Sequence, residues 1–350
     1  MTNRMQKVRR LLAPYKIDAL IVSDAVNATY LTRYPVSESW LFITAKKTYY
    51  ITDFRYIHEV RAAVKGVTPV MFSKSVCNTI FDLAARHKAT HIGINEHHWT
   101  VAQHKRLKQA CPKGIKLKPA NDLVESLREI KEPEEVQAIR DGLEIHREAL
   151  RLLKRYIKPN ITEEAVFAKL EGFVRRRKVG FSFPPIIASG PNSSYPHANV
   201  TPRKIRDNEP VLVDMGVCFG GYMTDLTRMF FLGKIANLVQ ETEAHVREAQ
   251  RRAIASIKAG MSIAEVDLKA RKYLESKNLA KYFGHSLGHG VGLEIHEGPR
   301  LFHTIRRPLK AGMVVTVEPA VYFAGKFGIR LEEMVLVTET GCEVLSGHIA

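Results

Sequence analysis

Four acidic residues interrupt apolar runs of this sequence, and they occur as two pairs. Asp214 and Asp225 form the first pair, and Glu318 and Glu332 form the second. A carboxylate inside a buried strand costs several kcal/mol unless it is paired or bound to a metal ion. For each aspartate taken alone, a turn cap or an ion pair with an arginine such as Arg228 explains the position equally well. The repetition in the second pair is harder to explain in this way.

If the four carboxylates converge, they predict a site for divalent cations. Two carboxylates about 4 Å apart repel by about 1 to 4 kcal/mol at effective dielectric constants of about 80 to 20, and cations remove that repulsion. Between the two pairs lies a glycine-rich segment with three histidines, His285, His289 and His296. Oxygen ligands with one imidazole suit manganese, cobalt, zinc or iron.

Each histidine also has a plainer explanation. A single histidine in a glycine-rich stretch is as often a hydrogen-bonded loop residue as a ligand, and His197 taken alone indicates a surface loop. Three histidines in one short segment, where glycines let the backbone approach a ligand closely, favour a site.

The elements that must position these residues follow a repeated order. From Pro133 the apolar spacing predicts a helix with the proline in its first turn, and Thr162 is the predicted N-cap of a second helix. A third helix is predicted over residues 236–258, and Ser262 with Glu265 forms a predicted capping box that opens a fourth. Each pair of helices is followed by a β-hairpin, which indicates two similar half-domains.

The two predicted hairpins contain the acidic pairs. The first joins VLVDMG to TDLTRMFFL through Gly220–Gly221, and the second joins MVVTVEPAVYF to IRLEEMVLV through residues 325–328. All four acidic side chains are therefore expected in apolar strand surroundings.

The part of the chain before these elements alternates short strands with helices, which predicts a small α/β domain. A helix fits residues 81–85. The predicted strands are Ala19–Val22, Trp40–Ile43, Tyr49–Ile51 and His91–Ile94.

Composition excludes several classes of protein. The chain has 350 residues, of which 45% are hydrophobic and 25% charged, so intrinsic disorder is not expected. The net charge of +17 is spread along the chain, and the only tight basic run covers residues 175–178. No nucleic-acid recognition pattern accompanies this run, so a solvated basic face is expected rather than a nucleic-acid site.

The cysteines, the N-terminus and the apolar runs of the sequence predict the compartment of the protein. The four cysteines have neither metal-type spacing nor the density of a disulfide framework. The N-terminus lacks the features of a signal peptide, and no apolar run is long enough for a membrane span. We expect a cytoplasmic protein that does not enter a membrane.

The motifs VDMG, TDLTR, HSLGHGVGLEIHEGP, TVEPAVY and GIRLEE, in this order, resemble the M24-type metallopeptidase family of Xaa-Pro aminopeptidases and Xaa-Pro dipeptidases, or prolidases. The segments ITDFRY and LREIKEPEEVQAIR are similar to the family's N-terminal domain and to the start of its catalytic domain. The resemblance implies an α/β creatinase-type N-terminal domain over residues 1–123. An α+β pita-bread catalytic domain with pseudo-twofold halves is implied over residues 124–350.

The resemblance also implies a role for each candidate residue. Two divalent metal ions are expected, with Mn²⁺ or Co²⁺ favoured and Zn²⁺ or Fe²⁺ as further candidates. The family's RIED-type motif is RLEE here, a change that leaves the ligands intact. In the implied assignment, Asp214 chelates one metal, Asp225 and Glu332 bridge the two, His289 and Glu318 complete the other, His197 and His296 contact substrate and assist proton movement, His285 lies beside the site, and Arg330 holds the Glu332 region.

The implied reaction is hydrolysis of the Xaa-Pro peptide bond by a water that bridges two cations, which lower its pKa to about 7 in the case of one zinc. Glu318 would accept the proton, and His296 or His197 would steady the oxyanion. A homodimer is also implied.

Two alternatives stay open at this point. The substrate is either a dipeptide or a longer peptide, because one sequence does not show what closes over the substrate's far end. Some relatives of the fold have lost their metals and act as nucleic-acid or protein binding modules. Metal analysis of the purified protein separates such a module from an enzyme.

Overall fold

The computed structural model describes residues 3–35, 38–72 and 74–349. They form two compact units, Met1–Arg128 and Glu129–Ala350. The division lies after a short helix, Glu125–Arg128, that follows the boundary expected at residues 123 and 124.

The first unit is built on one sheet of six strands. The strands are β1 (Ala19–Val22), β2 (Trp40–Thr44), β3 (Thr48–Thr52), β4 (Thr68–Met71), β5 (His91–Ile94) and β6 (Lys116–Pro119). Their order in the sheet is β4-β3-β2-β1-β5-β6, in which β2 runs antiparallel to its two neighbours and the other pairs are parallel. The helices are α1 (Asn3–Leu12), α2 (Ala25–Thr32), α3 (Ile57–Ala63), α4 (Val76–Arg86), α5 (Val101–Ala110) and α6 (Glu125–Arg128).

The predicted strands and the predicted helix of this unit are confirmed. The central strands β1 and β3 are buried along their whole length, as runs of apolar and β-branched residues predict. Each edge strand contains a proline, Pro69 in β4 and Pro119 in β6.

The second unit repeats the order of two helices followed by strands. Its helices are α7 (Pro133–Tyr156), α8 (Glu163–Arg176), α9 (Asn237–Ile254) and α10 (Ile263–Ser276). The strands before α9 are β7 (Gly180–Phe181), β8 (Ile186–Ser189), β9 (Pro210–Met215), β10 (Val217–Phe219), β11 (Tyr222–Met223) and β12 (Leu226–Phe231). Those after α10 are β13 (Gly288–Gly290), β14 (Glu297–Leu301), β15 (Val314–Val317), β16 (Ala320–Phe323), β17 (Phe327–Arg330), β18 (Glu333–Val337) and β19 (Cys342–Val344).

The four predicted helices of this unit are confirmed, and one of their predicted caps is wrong. The Thr162 side chain accepts the backbone N–H of Ala165, as predicted. Ser262 precedes α10 but caps no backbone N–H with its side chain. The first amides of α10 donate instead to the backbone carbonyls of Arg307 and Ile305, so tertiary partners replace the local cap.

Both predicted hairpins form, and each divides into two sheets. In the first, β9 pairs with β12 while the inner strands β10 and β11 join another sheet. In the second, β15 pairs with β18 while β16 pairs separately with β17. Apolar faces of α7 and α8 pack on β9, and those of α9 and α10 pack on β15 and β17. A fully buried Leu, Ile or Val in such a core contributes about 1.5–3 kcal/mol.

Candidate metal centre

The acidic residues lie where the two hairpins divide, which corrects the expectation that all four sit in strands. Asp214 is inside β9, but Asp225 immediately precedes β12. Glu318 immediately follows β15, and Glu332 immediately precedes β18. A division between sheets frees side chains from the alternating pattern of a strand, so Asp225, Glu318 and Glu332 are able to turn to the side that Asp214 faces.

One cavity of about 900 Å³ in the second unit brings the predicted site residues together. It is lined by all of them: His197, Asp214, Asp225, His285, His289, His296, Glu318, Arg330 and Glu332.

His289 projects its ring among the carboxylates. Its Nε2 atom lies 3.3 Å from Glu318 Oε1 and 3.5 Å from Asp225 Oδ2. Its Nδ1 atom is 3.1 Å from the carbonyl oxygen of Gly290, and its backbone N–H donates to Thr316 Oγ1. Because Nδ1 lies within hydrogen-bond distance of this carbonyl, Nε2 is the ring atom directed at the carboxylates and the one through which His289 could bind a metal ion.

Two buried hydroxyl groups fix the glutamates. Thr316 Oγ1 donates to Glu318 Oε1 at 3.2 Å, and Thr227 Oγ1 donates to Glu332 Oε2 at 2.9 Å. Both threonines are fully buried, so these hydrogen bonds are shielded from water.

The guanidinium group of Arg330 contacts four residues. Its guanidinium forms an ion pair with Asp214, donates to the Tyr322 hydroxyl at 2.7 Å and to the Pro196 carbonyl at 3.0 Å. Its Nε atom donates to Thr227 Oγ1 at 3.0 Å. Arg330 therefore connects Asp214, the threonine that holds Glu332, and the segment that carries His197.

Two carboxylate oxygens of the cluster are buried without a hydrogen-bond partner among the described residues, Asp214 Oδ1 and Glu332 Oε1. Ligand atoms of Asp225, His289 and Glu332 lie within 4.8 Å of one another. Burial, followed by the repulsion of neighbouring carboxylates, raises the pKa of Asp225 and of Glu332 well above the ordinary range. Buried acceptors without donors, crowded by like charge, fit divalent cations.

Glu318 differs from the other acids. Burial by itself would raise the pKa of its carboxyl, but the hydrogen bond and charge interaction with the His289 ring bring that pKa below the ordinary value. Glu318 is therefore ionised at neutral pH and able to accept a proton.

The three other histidines, His197, His285 and His296, lie at the cavity wall. The His296 ring packs edge-to-face against His289, with ring centroids 4.4 Å apart. Partial burial and the neighbouring His289 lower the pKa of His296, and burial lowers that of His285. His197 is exposed on the segment between β8 and β9.

The remainder of the cavity wall is mostly apolar, with one cation. Arg300 lies over the Phe302 ring at 4.7 Å and has no carboxylate partner among the described residues, whereas Arg330 is fully engaged. The apolar lining consists of Phe167, Phe183, Pro184, Pro185, Ile186, Pro196, Ala198, Val200 and Ile295.

Comparison with known proteins places this chain in a family. The sequence matches metallopeptidase family M24 over residues 137–339 and the creatinase/prolidase N-terminal domain over residues 4–130. The chain belongs to metallopeptidase family M24. The predicted family and the predicted fold, a creatinase-type domain followed by a pita-bread domain, are confirmed.

Several relatives of this M24 chain extend over its whole length. An uncharacterised peptidase of Bacillus subtilis is 33% identical over 97% of this chain and 96% of its own length. The solved Xaa-Pro dipeptidase from Bacillus anthracis is 30% identical, with a TM-score of 0.94 over 98% of this chain and 97% of its own. The X-Pro aminopeptidase from Thermotoga maritima is 30% identical, with a TM-score of 0.88 over 97% of each chain. The chain is thus a metallo-exopeptidase of a family that uses divalent metal ions.

Several residues that support the candidate metal centre and its cavity in this M24 enzyme were not predicted. Two of them occupy α10 and α8. Asp267, buried on α10, accepts the backbone N–H of Leu287 and pairs with Arg271. Arg271 in turn donates to the carbonyl oxygens of Phe283 and His285, each at 3.0 Å. This pair therefore holds the segment that leads into His289. Glu163 on α8 has a comparable role, because its carboxylate accepts hydrogen bonds from Ser189 and Thr201 at the two ends of the segment that carries His197.

The other two lie on α7 and α9 of the M24 domain. His146 Nδ1 is 3.4 Å from the hydroxyl of Thr224, the residue before Asp225. Gln250 donates to the carbonyl oxygen of Val317, the residue before Glu318, at 2.9 Å.

A sequence signal for these four residues exists in helical spacing. Each polar residue lies three or four positions from apolar residues that face the core, as Asp267 does between Ile263 and Ala270. Polar residues on the apolar stripe of an amphipathic helix are therefore the pattern to search for.

The four predicted helices of the second unit contain no candidate for a membrane span, and the same holds for the other described helices. None combines the length and apolar character that crossing a bilayer requires.

Proposed function

We propose that this M24 enzyme is an Xaa-Pro dipeptidase that works with two divalent cations, Mn²⁺ or Co²⁺ before Zn²⁺ or Fe²⁺. The observation that carries the proposal is the pair of buried carboxylate oxygens without partners, Asp214 Oδ1 and Glu332 Oε1, in one cavity with His289. Its further support is the similarity to an Xaa-Pro dipeptidase and an X-Pro aminopeptidase.

In the proposed site, Asp225 and Glu332 would contribute to holding both cations, Asp214 would help to hold one, and His289 and Glu318 would help to hold the other. The crowding of Asp225 and Glu332 supports this assignment, because two positive ions would compensate carboxylates whose pKa is raised by burial and mutual repulsion. When bound, the cations would supply an activated water and polarise the scissile carbonyl.

The proposed role of Glu318 is to accept the proton of the attacking water and pass it to the leaving nitrogen. Its ionised state and its hydrogen bond from Thr316 support that role. His296 and His197, exposed at the cavity wall, would donate hydrogen bonds to the substrate and to the oxyanion of the tetrahedral intermediate.

The lining of the cavity favours a dipeptide. Its apolar wall, which includes Phe183 and Ile186, suits a pyrrolidine ring. Arg300 offers a guanidinium without a carboxylate partner among the described residues, and we propose that it binds the C-terminal carboxylate of the substrate. A longer peptide has an amide at that point and would lose this charge-assisted interaction.

The test is a comparison of Ala-Pro and Ala-Pro-Ala hydrolysis by the purified enzyme with added Mn²⁺ or Co²⁺, together with metal analysis. We expect metal-dependent cleavage and faster turnover of Ala-Pro. The variant Arg300→Gln should lower kcat/KM for Ala-Pro by roughly ten- to a hundredfold, the equivalent of about 1.5–3 kcal/mol for a charged hydrogen bond. It should change the rate on Ala-Pro-Ala much less.

Two outcomes would contradict the proposal. Equal or greater activity on Ala-Pro-Ala, with the same loss on both peptides in Arg300→Gln, would identify an aminopeptidase instead. Near-zero bound metal and no hydrolysis after adding either cation would favour a metal-free binding module.

The family resemblance also supports a homodimer, which we include in the proposal. Light scattering would then give twice the chain mass of 39.5 kDa. A value equal to one chain would contradict it.

A further inference from the structure

The segment that carries His197 has little regular structure of its own. It runs from Ser189, the last residue of β8, to Thr201, and contains only a short 3₁₀ turn at Gly190–Ser194. Five consecutive residues of this segment, Pro196 to Val200, line the cavity. Besides the hydrogen bond from Arg330 to the Pro196 carbonyl, the position of His197 therefore depends on contacts made by the two ends of the segment.

Both ends of the segment donate hydrogen bonds to a single buried carboxylate, that of Glu163. Glu163 is the first residue of α8 and is fully buried. Its Oε1 atom accepts the backbone N–H and the hydroxyl of Ser189, each at 2.7 Å. Its Oε2 atom accepts the hydroxyl of Thr201 at 2.6 Å, the backbone N–H of Thr201 at 3.2 Å, and the side-chain amide of Asn192 at 2.8 Å.

The middle of the segment is tied to the same group. The Asn192 amide that donates to Glu163 also donates to the carbonyl oxygen of Asn199, two residues beyond His197. Glu163 itself does not line the cavity, so its influence on substrate must pass through this segment.

Five donors converge on the two oxygens of one carboxylate, and the first turn of a helix favours such an acceptor. An amide in its place would keep the shape but would turn an NH₂ group toward donors that need an acceptor. Replacing the charge therefore leaves part of the cluster unsatisfied and loosens one end of the segment.

We infer that Glu163 is a positioning residue that sets the place of His197 in the cavity. The inference rests on the proposed function in one respect, that His197 contacts the substrate.

The experiment compares Glu163→Gln with the matched control Glu164→Gln, which changes the neighbouring, exposed glutamate. We expect Glu163→Gln to keep its metal content and to lose roughly ten- to a hundredfold in kcat/KM, the scale of a misplaced substrate-contacting group. Glu164→Gln should match the wild type. In the His197→Ala background, Glu163→Gln should cost no more than about twofold, the usual error of additivity.

A readout that does not need activity is the ring signal of His197 in the NMR spectrum of histidine-labelled enzyme. The His197→Ala spectrum identifies the signal by its absence. We expect this signal to move in Glu163→Gln and to stay in place in Glu164→Gln. If Glu163→Gln fails to fold, Thr201→Val removes one donor from the same carboxylate and takes its place in both measurements.

The inference is overturned if the His197 signal stays in place, or if the losses of Glu163→Gln and His197→Ala multiply in the double variant. If the wild type cleaves no Xaa-Pro peptide, the proposed function fails, whereas the His197 signal still decides the inference.

Discussion

The two halves of the catalytic unit, residues 129–232 and 233–349, support their parts of the cavity with equivalent elements that serve different tasks. In the first half, the buried carboxylate on α8, Glu163, holds the segment of His197, which is proposed to contact substrate. In the second half, the buried carboxylate on α10, Asp267, holds the segment that leads into the proposed metal ligand His289. Substitution of Glu163 should therefore impair the handling of substrate, whereas substitution of Asp267 should impair metal binding.

A second pair of supports extends the comparison. His146 on α7 contacts Thr224, beside Asp225, and Gln250 on α9 contacts Val317, beside Glu318. Both are buried, but only the histidine titrates. The two halves should therefore also differ in how they respond to pH.

The largest effect is expected where the halves are alike, at the ligands that each contributes. Asp225→Asn in the first half and Glu332→Gln in the second should each lower kcat about a thousandfold or more, equal to about 4 kcal/mol. Each should also lower the bound metal measured by elemental analysis. The control Asp207→Asn, at an exposed position, should behave as the wild type. Wild-type turnover of either ligand variant with added metal would contradict the proposed centre.

The next effect separates the halves. Asp267→Asn removes the charge that pairs with Arg271 and should weaken metal affinity by roughly ten- to a hundredfold, as changes behind a metal ligand do. Titration against a competing chelator measures this change. Glu265→Gln, an exposed position on the same helix, is the control. Unchanged metal affinity in Asp267→Asn, or an equal loss in Glu163→Gln, would mean that the two supports are not specialised.

The smallest effect concerns pH. Burial, and secondarily the charge of Arg228, lowers the pKa of His146 to about 3. Below about pH 6.5 His146 is protonated in the unfolded chain but stays neutral in the folded chain. The free energy of unfolding therefore falls as the pH falls toward 3. Between pH 7 and pH 5 the loss is about 2 kcal/mol, with a slope that approaches about 1.4 kcal/mol for each pH unit below about pH 6.

His146→Gln copies the uncharged support of the second half and should remove this part of the pH dependence. The free energy of unfolding by urea at pH 5 and pH 7 measures the effect. A wild-type pH dependence in His146→Gln would exclude His146 as its source. The variant Gln250→Leu is the control, because it should leave the pH dependence unchanged.

The helices, the strands and the candidate ligands were predictable because their signals are local, whereas the family resemblance supplied the fold of each domain and the role of each ligand. Asp214 interrupts an apolar strand, and an acid in such a place is conspicuous whatever the rest of the chain does. The supporting residues were not found because their partners are distant in sequence. Glu163 receives donors that lie 26 and 38 residues further along the chain, and on the sequence alone it reads as an ordinary acid at a helix start.

Local rules also failed where tertiary contacts supplied the same chemistry. Ser262 and Glu265 have the spacing of a capping box, yet the amides of Ile263 and Ala264 donate to the carbonyl groups of Arg307 and Ile305, and the Glu265 amide donates to the backbone carbonyl of Ser262 rather than to its side chain. Similarly, the alternation of strand residues did not reveal that both hairpins divide at the acidic residues, because the division depends on which sheet each segment joins.

The prolines on the edge strands of the first unit have a consequence for how that unit meets other chains. In β6 the backbone N–H groups of Lys116 and Ala120 donate toward β5, so the outward positions of the strand are those of Leu117 and Pro119. Proline has no N–H group, which leaves Leu117 as the one outward-facing amide of these four residues.

The opposite edge is built in the same way. The N–H group of Phe72 donates toward β3, so Pro69 and Met71 face outward in β4, and again only one of the two has an amide to offer. A strand added at either edge would therefore lack half of the backbone N–H donors that a regular edge strand offers. The six-stranded sheet therefore resists growth by strand addition, and its two prolines protect the chain from aggregation through its edges.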